Sequence, residues 1–243
     1  MKPMKIFLFV FAMLTTVFAA ESQADDHSTE NLFKRLNAVL KSDHPEVKYH
    51  LGMFYNSGIG VTKNPQFAFS YFEQAAQAGD ELAAYKLGCY YAGQFAGVVG
   101  VDDELALKWK MRAAIAGYDL AQHDVALYWR KKGDLAKAAM WWERASRQAN
   151  LAATAMLADY FSKEPTLEKT KGYALLLLLK ERMPNVSQQL ADRIGALEST
   201  LSADEKIESE RIQTTWLLGP TPITLKATSG LSSVSQLLST LEK

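Results

Sequence analysis

Leu51-Gly52-Met53-Phe54-Tyr55, Leu87-Gly88-Cys89-Tyr90-Tyr91 and Val125-Ala126-Leu127-Tyr128-Trp129 are three versions of one phrase. Each is followed by a glycine-containing break and then by a second block. Those blocks read Ala68-Phe69-Ser70-Tyr71-Phe72-Glu73-Gln74-Ala75-Ala76, Ala106-Leu107-Lys108-Trp109-Lys110-Met111-Arg112-Ala113-Ala114 and Ala138-Ala139-Met140-Trp141-Trp142-Glu143-Arg144-Ala145. Gly52 and Gly88 lie 36 positions apart, and Gly88 and Ala126 lie 38 apart. A period in this range marks stacked helix hairpins, each too small to bury its apolar face alone. Val47 to Asn150 therefore decides the fold.

The residue types explain the hairpin. Leu51, Gly52 and Tyr55 share one side of a helix, as do Leu87, Gly88 and Tyr91. Glycine inside a helix is about 1 kcal/mol worse than alanine, so the position needs a reason. Close approach of the second helix supplies it, and Ala126 and Ala158 keep the slot small in later copies. The second helices answer with Ala75-Ala76 and Ala113-Ala114 beside bulky Tyr71, Phe72 and Trp109. Small facing large is how helices interdigitate at native density. Gly58 ends the first helix and Asn64-Pro65 starts the second, while Gly79 and Gly117 close second helices.

These blocks resemble the Sel-1-like repeat family, a relative of the tetratricopeptide repeats. Val47 to Gly79 follows the family pattern almost throughout, and Leu82 to Gly117 follows it with a longer loop, Gly93 to Asp103. Leu120 to Asn150 keeps the spacing but has lost the Gly-x-Gly loop. A degenerate fourth copy runs through Leu157-Ala158-Asp159-Tyr160-Phe161 and Tyr173-Ala174-Leu175. The resemblance implies an all-α, right-handed α-solenoid of helix hairpins with helical caps at both ends, and a trade in binding protein partners. Some secreted relatives staple each hairpin with a cysteine pair and are linked to β-lactams. Cys89 is the only cysteine here, so that activity does not carry over.

The full organisation expected is a signal peptide (1–24), a leader and capping helix (25–46), and repeats over about 47–80, 81–118, 119–150 and 151–183. A C-terminal helical cap and tail follow (184–243). Lys2 and Lys5 precede an apolar run from Ile6 to Val17 and then small residues, the composition of an exported leader. Cleavage after Ala24 is preferred, with Ala19 left open. No cysteine stands nearby to carry a lipid, so no stable membrane anchor is expected after cleavage, and the expected location is the periplasm of a Gram-negative bacterium. Leu32, Phe33, Leu36, Val39 and Leu40 form a helical stripe that reads as the first cap. Ser202 with Glu205 makes a capping box. Gly219-Pro220-Thr221-Pro222 reads as a turn or extended linker. The last stripe, Leu231, Val234, Leu237, Leu238 and Leu241, either docks on the body or forms a detachable peptide, and docking is preferred.

Function classes narrow from composition and motifs. The 243 residues carry zero formal net charge, which argues against nucleic acid as a partner. His27, His44, His50 and His123 have no metal-ligand spacing, and no nucleophile elbow or phosphate loop is present. No catalytic residue, metal or cofactor is expected. Cys89 reads as a small buried hydrophobe, with a reactive thiol as the other reading. The functional signal is a row: Phe54, Tyr90, Tyr128 and Tyr160 occupy one slot in the four copies. At about 100° per residue this slot lies on the flank of the buried stripe. His50, Lys86, Asp124 and Arg130 lie beside it, polar and different in each copy. Such a row either lines a groove for a protein or peptide or fills the seam between hairpins. The expected function is a non-enzymatic periplasmic scaffold. An immunity protein against a periplasm-targeted effector, and a cell-wall or β-lactam hydrolase, are the alternatives.

Overall fold

Helix starts are written locally in this chain. His44 stands at the N-terminus of α2 (Pro45–Ser57), its Nδ1 accepting from the Glu46 N–H, and Pro45 occupies the first turn. Asn64 accepts from the Phe67 N–H at 3.0 Å to open α3 (Pro65–Gln77). Asp102 accepts from the Glu104 and Leu105 N–H groups at the start of α5 (Asp103–Ile115). Asp134 opens α7 (Leu135–Ser146) and Asn150 opens α8 (Leu151–Phe161) in the same way. Ahead of these, residues 28–38 form α1 and Leu40–Ser42 a turn of 3-10 helix. α4 (Glu81–Tyr91) precedes α5, and α6 (Asp119–Lys131) precedes α7.

The structure is a computed structural model that describes residues 28–163, 168–183 and 185–243. The expected signal peptide, both cleavage positions and His27 lie outside these residues. Every regular element among the described residues is helical. The described residues form two compact units, one made of those up to Ala83 with Gln94–Gly100 and Ser229–Lys243, the other of Ala84–Gly93 and those between Val101 and Thr228.

In the first unit α2 packs along α3. A Cβ added at Gly52 would sit 2.6 Å from the ring of Phe72, which is fully buried. The expected close approach is therefore present, ring against bare backbone. The last helix, α13 (Leu231–Leu241), belongs to this unit. Its Val234, Leu237 and Leu238 form one buried cluster with Leu36 of α1 and Val47, Leu51 and Phe54 of α2. The C-terminal stripe thus docks. Burial of side chains of this size contributes about 1.5–3 kcal/mol each.

In the second unit α5 packs on α6, α6 on α7, α7 on α8, and α8 on α9 (Lys169–Arg182). α10 (Gln188–Glu198) and α11 (Ala203–Thr215) then cover α9. The Ser202–Glu205 capping box forms at the start of α11. A Cβ at Gly88 would lie 2.6 Å from Lys110 Cγ and 2.9 Å from the Ala106 carbonyl oxygen, so α4 touches α5 almost backbone to backbone.

The segment after α11 is without regular structure up to Thr221 and is bonded to the second unit along its length. Trp216 is buried and its indole N–H donates to Ser146 Oγ at 2.8 Å. The Leu218 N–H donates to the Arg147 carbonyl at 2.9 Å. Gln148 Oε1 accepts from the Thr221 N–H and the Thr224 hydroxyl, while its Nε2 donates to the Gly117 carbonyl and Gln122 Oε1. Every capacity of this buried amide is met, as buried polar groups require. Pro222 then opens a short helix, α12 (Pro222–Thr228). Residues 184–243 are accordingly divided. α10 to α12 belong to the second unit and α13 to the first.

Candidate binding site

The four positions of the aromatic row have different surroundings. Phe54 is 1% exposed, stacked on Phe33 with centroids 6.1 Å apart and covered by the α13 cluster. Tyr90 is also 1% exposed, and burial pushes its hydroxyl pKa up to about 12. His50 is buried, its Nε2 3.5 Å from the Glu46 carboxylate. Phe54, Tyr90 and His50 are therefore core residues, which corrects their expected place in an open groove. The slot sits on the flank of the stripe, and a flank residue is buried as soon as another element reaches it. Lys86 is half-buried on α4. Tyr160 is half-buried and packs edge-on against Phe161 at 5.3 Å. Arg130 is exposed, with Nη1 3.2 Å from Met156 Sδ.

Two of the expected residues do come together at an open place. Asp124 and Tyr128 of α6 line a cleft of about 190 Å³ between α5 and α6. Its apolar lining comes from Ala92, Ala106, Leu107, Val125 and Leu127. Two ion pairs fence it. Lys110 donates to Asp124 at 2.7 Å with both side chains largely covered, and Lys131 donates to Asp103 at 2.6 Å in solvent. The ring of Tyr128 is half-buried, edge-on to Trp129, with the Lys132 ammonium 5.4 Å from its centre.

Local sequence explains this geometry. Lys110 comes four residues after buried Ala106, on the stripe of α5 that faces a neighbouring helix. A charge placed there has to be paired, and Asp124 arrives from α6 to pair it. Lys110, Asp103, Leu107 and Lys131 are absent from the expected row. The signal for Lys110 was available as a cation on an otherwise small and apolar face. Asp103 is an acid in the first turn of α5, where the helix dipole favours it, and it has a second role: the Lys131 ammonium holds its carboxyl below the usual carboxylate range.

Cys89 lies next to this ion pair. Burial pushes its thiol up, against the opposing pull of Lys110, and the Tyr85 hydroxyl hydrogen-bonds to it. The thiolate is the nucleophile, so a raised thiol is unreactive at neutral pH. Among the described residues no group of three or more His, Cys, Asp or Glu is placed to hold a metal ion. What the cleft offers is shape, an apolar floor and fixed charges.

Comparison with known proteins follows from the same repeats. The Sel1 repeat family matches residues 45–80, 82–118 and 119–150, the hairpins described above. This chain carries three Sel1 repeats. Its repeat solenoid is similar in fold to a Sel1 repeat protein from Oxalobacter formigenes, with a TM-score of 0.60 and 20% identity over 76% of this chain and 79% of that one. It is similar too to a protective antigen of uropathogenic Escherichia coli strains that displays an SLR fold, with a TM-score of 0.58 and 23% identity. That match covers 79% of this chain and 42% of the antigen. Protein SHC1 of Saccharomyces cerevisiae is 33% identical over 86 residues, which is 33% of this chain and 16% of the yeast protein. The match thus spans about one sixth of the length of this yeast relative. Sel1-repeat proteins are typically protein-interaction scaffolds.

Proposed function

We propose that this Sel1-repeat protein is an exported, periplasmic and non-enzymatic scaffold that binds a protein or peptide partner at the α5/α6 cleft. The observation that carries the reading is the cleft itself. An apolar floor with Tyr128 at one wall and two ion pairs at the rim is the composition of an anchor pocket, which excludes water around the partner's anchoring side chains. Its walls are helices held by the neighbouring hairpins, so the pocket is formed before the partner arrives and little ordering is needed on binding. The basic and apolar N-terminal run supports export.

Placing a photoreactive phenylalanine analogue at position 128 in cells of the native host tests the reading. Irradiation should give a discrete adduct with a protein in the osmotic-shock fraction. The same analogue at Leu135, an exposed position on α7, should not give it. Identical adducts at both positions, or none at 128, would overturn the site. Retention of the full-length chain in the cytoplasmic fraction would overturn export.

A further inference from the structure

The first-repeat position of the aromatic row already has an occupant, and it is part of this chain. α13 places Val234, Leu237 and Leu238, at i, i+3 and i+4, onto Leu36 of α1 and Phe54 of α2. One turn beyond Leu238, the Glu242 carboxylate accepts two hydrogen bonds from the Arg35 guanidinium of α1, at 3.0 and 2.5 Å. Ser232, Ser235, Gln236, Ser239 and Thr240 are exposed. The first-repeat seam therefore receives a short amphipathic helix, with aliphatic side chains in the slot and a carboxylate on a cation at its edge.

Tyr128 holds in the third copy the slot that Phe54 holds in the first. Here the seam between α5 and α6 is open, about 190 Å³ with an aliphatic floor from Leu107 and Val125. Beside Tyr128 the exposed Lys132 holds its ammonium 5.4 Å from the ring centre, while of the rim acids Asp103 meets Lys131 and Asp124 is engaged by Lys110. We infer that the α5/α6 cleft takes a short amphipathic helix of the partner, presenting aliphatic side chains at i, i+3 and i+4 and a carboxylate one turn on, as α13 does in the first repeat. This is recognition of a helix in a groove, with rim charge setting its direction. It rests on the reading of the chain as a partner-binding scaffold.

The probe is a labelled synthetic peptide of residues 229–243, titrated onto the full chain by fluorescence anisotropy. Saturable binding is expected, weakened about tenfold or more by Tyr128→Ala and by Lys132→Glu. A peptide carrying Glu242→Lys should bind the wild type poorly and regain affinity for the Lys132→Glu chain. Absence of saturable binding overturns the inference. So does binding that ignores both substitutions, because the peptide is then displacing α13 on α1 and α2. A wild-type chain that dimerises, and loses the dimer on Lys132→Glu, would assign the cleft to a second copy and overturn it as well. A photo-adduct at position 128 without peptide binding would remove this inference and leave the scaffold reading standing. Peptide binding without any adduct in cells would remove the scaffold reading, and with it the partner inferred here, leaving only a cleft that accepts such a helix.

Discussion

Replacing Gly88 by leucine tests the hairpin at its tightest point. The added Cβ would start 2.6 Å from Lys110 Cγ, 2.9 Å from the Ala106 carbonyl oxygen and 3.1 Å from the Lys110 backbone nitrogen. The lysine methylene can swing aside, but the two backbone atoms move only if α5 moves. Overpacking of a close-packed site costs about 1–3 kcal/mol, and backbone contacts put this site at the upper end. Removing a helical glycine returns about 1 kcal/mol through helix propensity. The net is a loss of about 2 kcal/mol, or roughly 4–8 °C in Tm for a chain of this size. Gly195 is the control, since a Cβ there meets nothing within 4 Å in α10. Gly195→Ala keeps only the propensity term and should raise stability by up to about 1 kcal/mol. Thermal melts followed by far-ultraviolet circular dichroism measure both. A Gly88→Leu chain melting at or above the wild-type temperature would refute the close packing of α4 on α5.

Other outcomes follow from burial and charge. Tyr90→Ala should lower unfolding free energy by about 3–5 kcal/mol in a urea titration, whereas Tyr128→Ala, at a half-exposed ring, should lower it far less. Burial depresses the His123 pKa from 6.5, and its enclosed Nδ1 has no hydrogen-bond partner among the described residues. The folded state then binds fewer protons than the unfolded one. The stability from a neutral His123 is full above pH 6.5 and is lost as pH falls below it, so His123→Gln should flatten the decline in Tm between pH 7 and 5. Leu238→Asp places a charge among fully buried leucines and should release α13, read as rapid proteolysis near Ser229-Gly230. Native Cys89 should react slowly with iodoacetamide at pH 7 and at the rate of a free thiol in denaturant.

Much of this fold is legible because it is local. The caps at Asn64 and Asp102 and the small slots at Gly52 and Gly88 depend on residues a few positions away or one hairpin along. The row was harder to read, because its four members are alike in sequence and their exposure is set by elements far off in the chain. Phe54 is covered by residues 180 or more positions later, and Arg35 meets Glu242 across 207 positions. A stripe on α13 announces that it is buried, not against what. The strap through Gln148, Thr221 and Thr224 is encoded in single polar atoms, to which hydrophobic periodicity is blind.

The seat of α13 has a consequence in time. Leu36, Val47, Leu51 and Phe54 leave the ribosome long before their cover, since 184 positions separate Phe54 from Leu238. At about 5–20 residues per second the interval is roughly 10–40 s, far longer than hydrophobic collapse. Throughout it the nascent chain shows an apolar face already shaped to accept a leucine-bearing helix. Any passing segment of that kind is a competitor for the place, so a chaperone that shields the first hairpin during synthesis would be guarding the α13 site until the chain's own last helix is made.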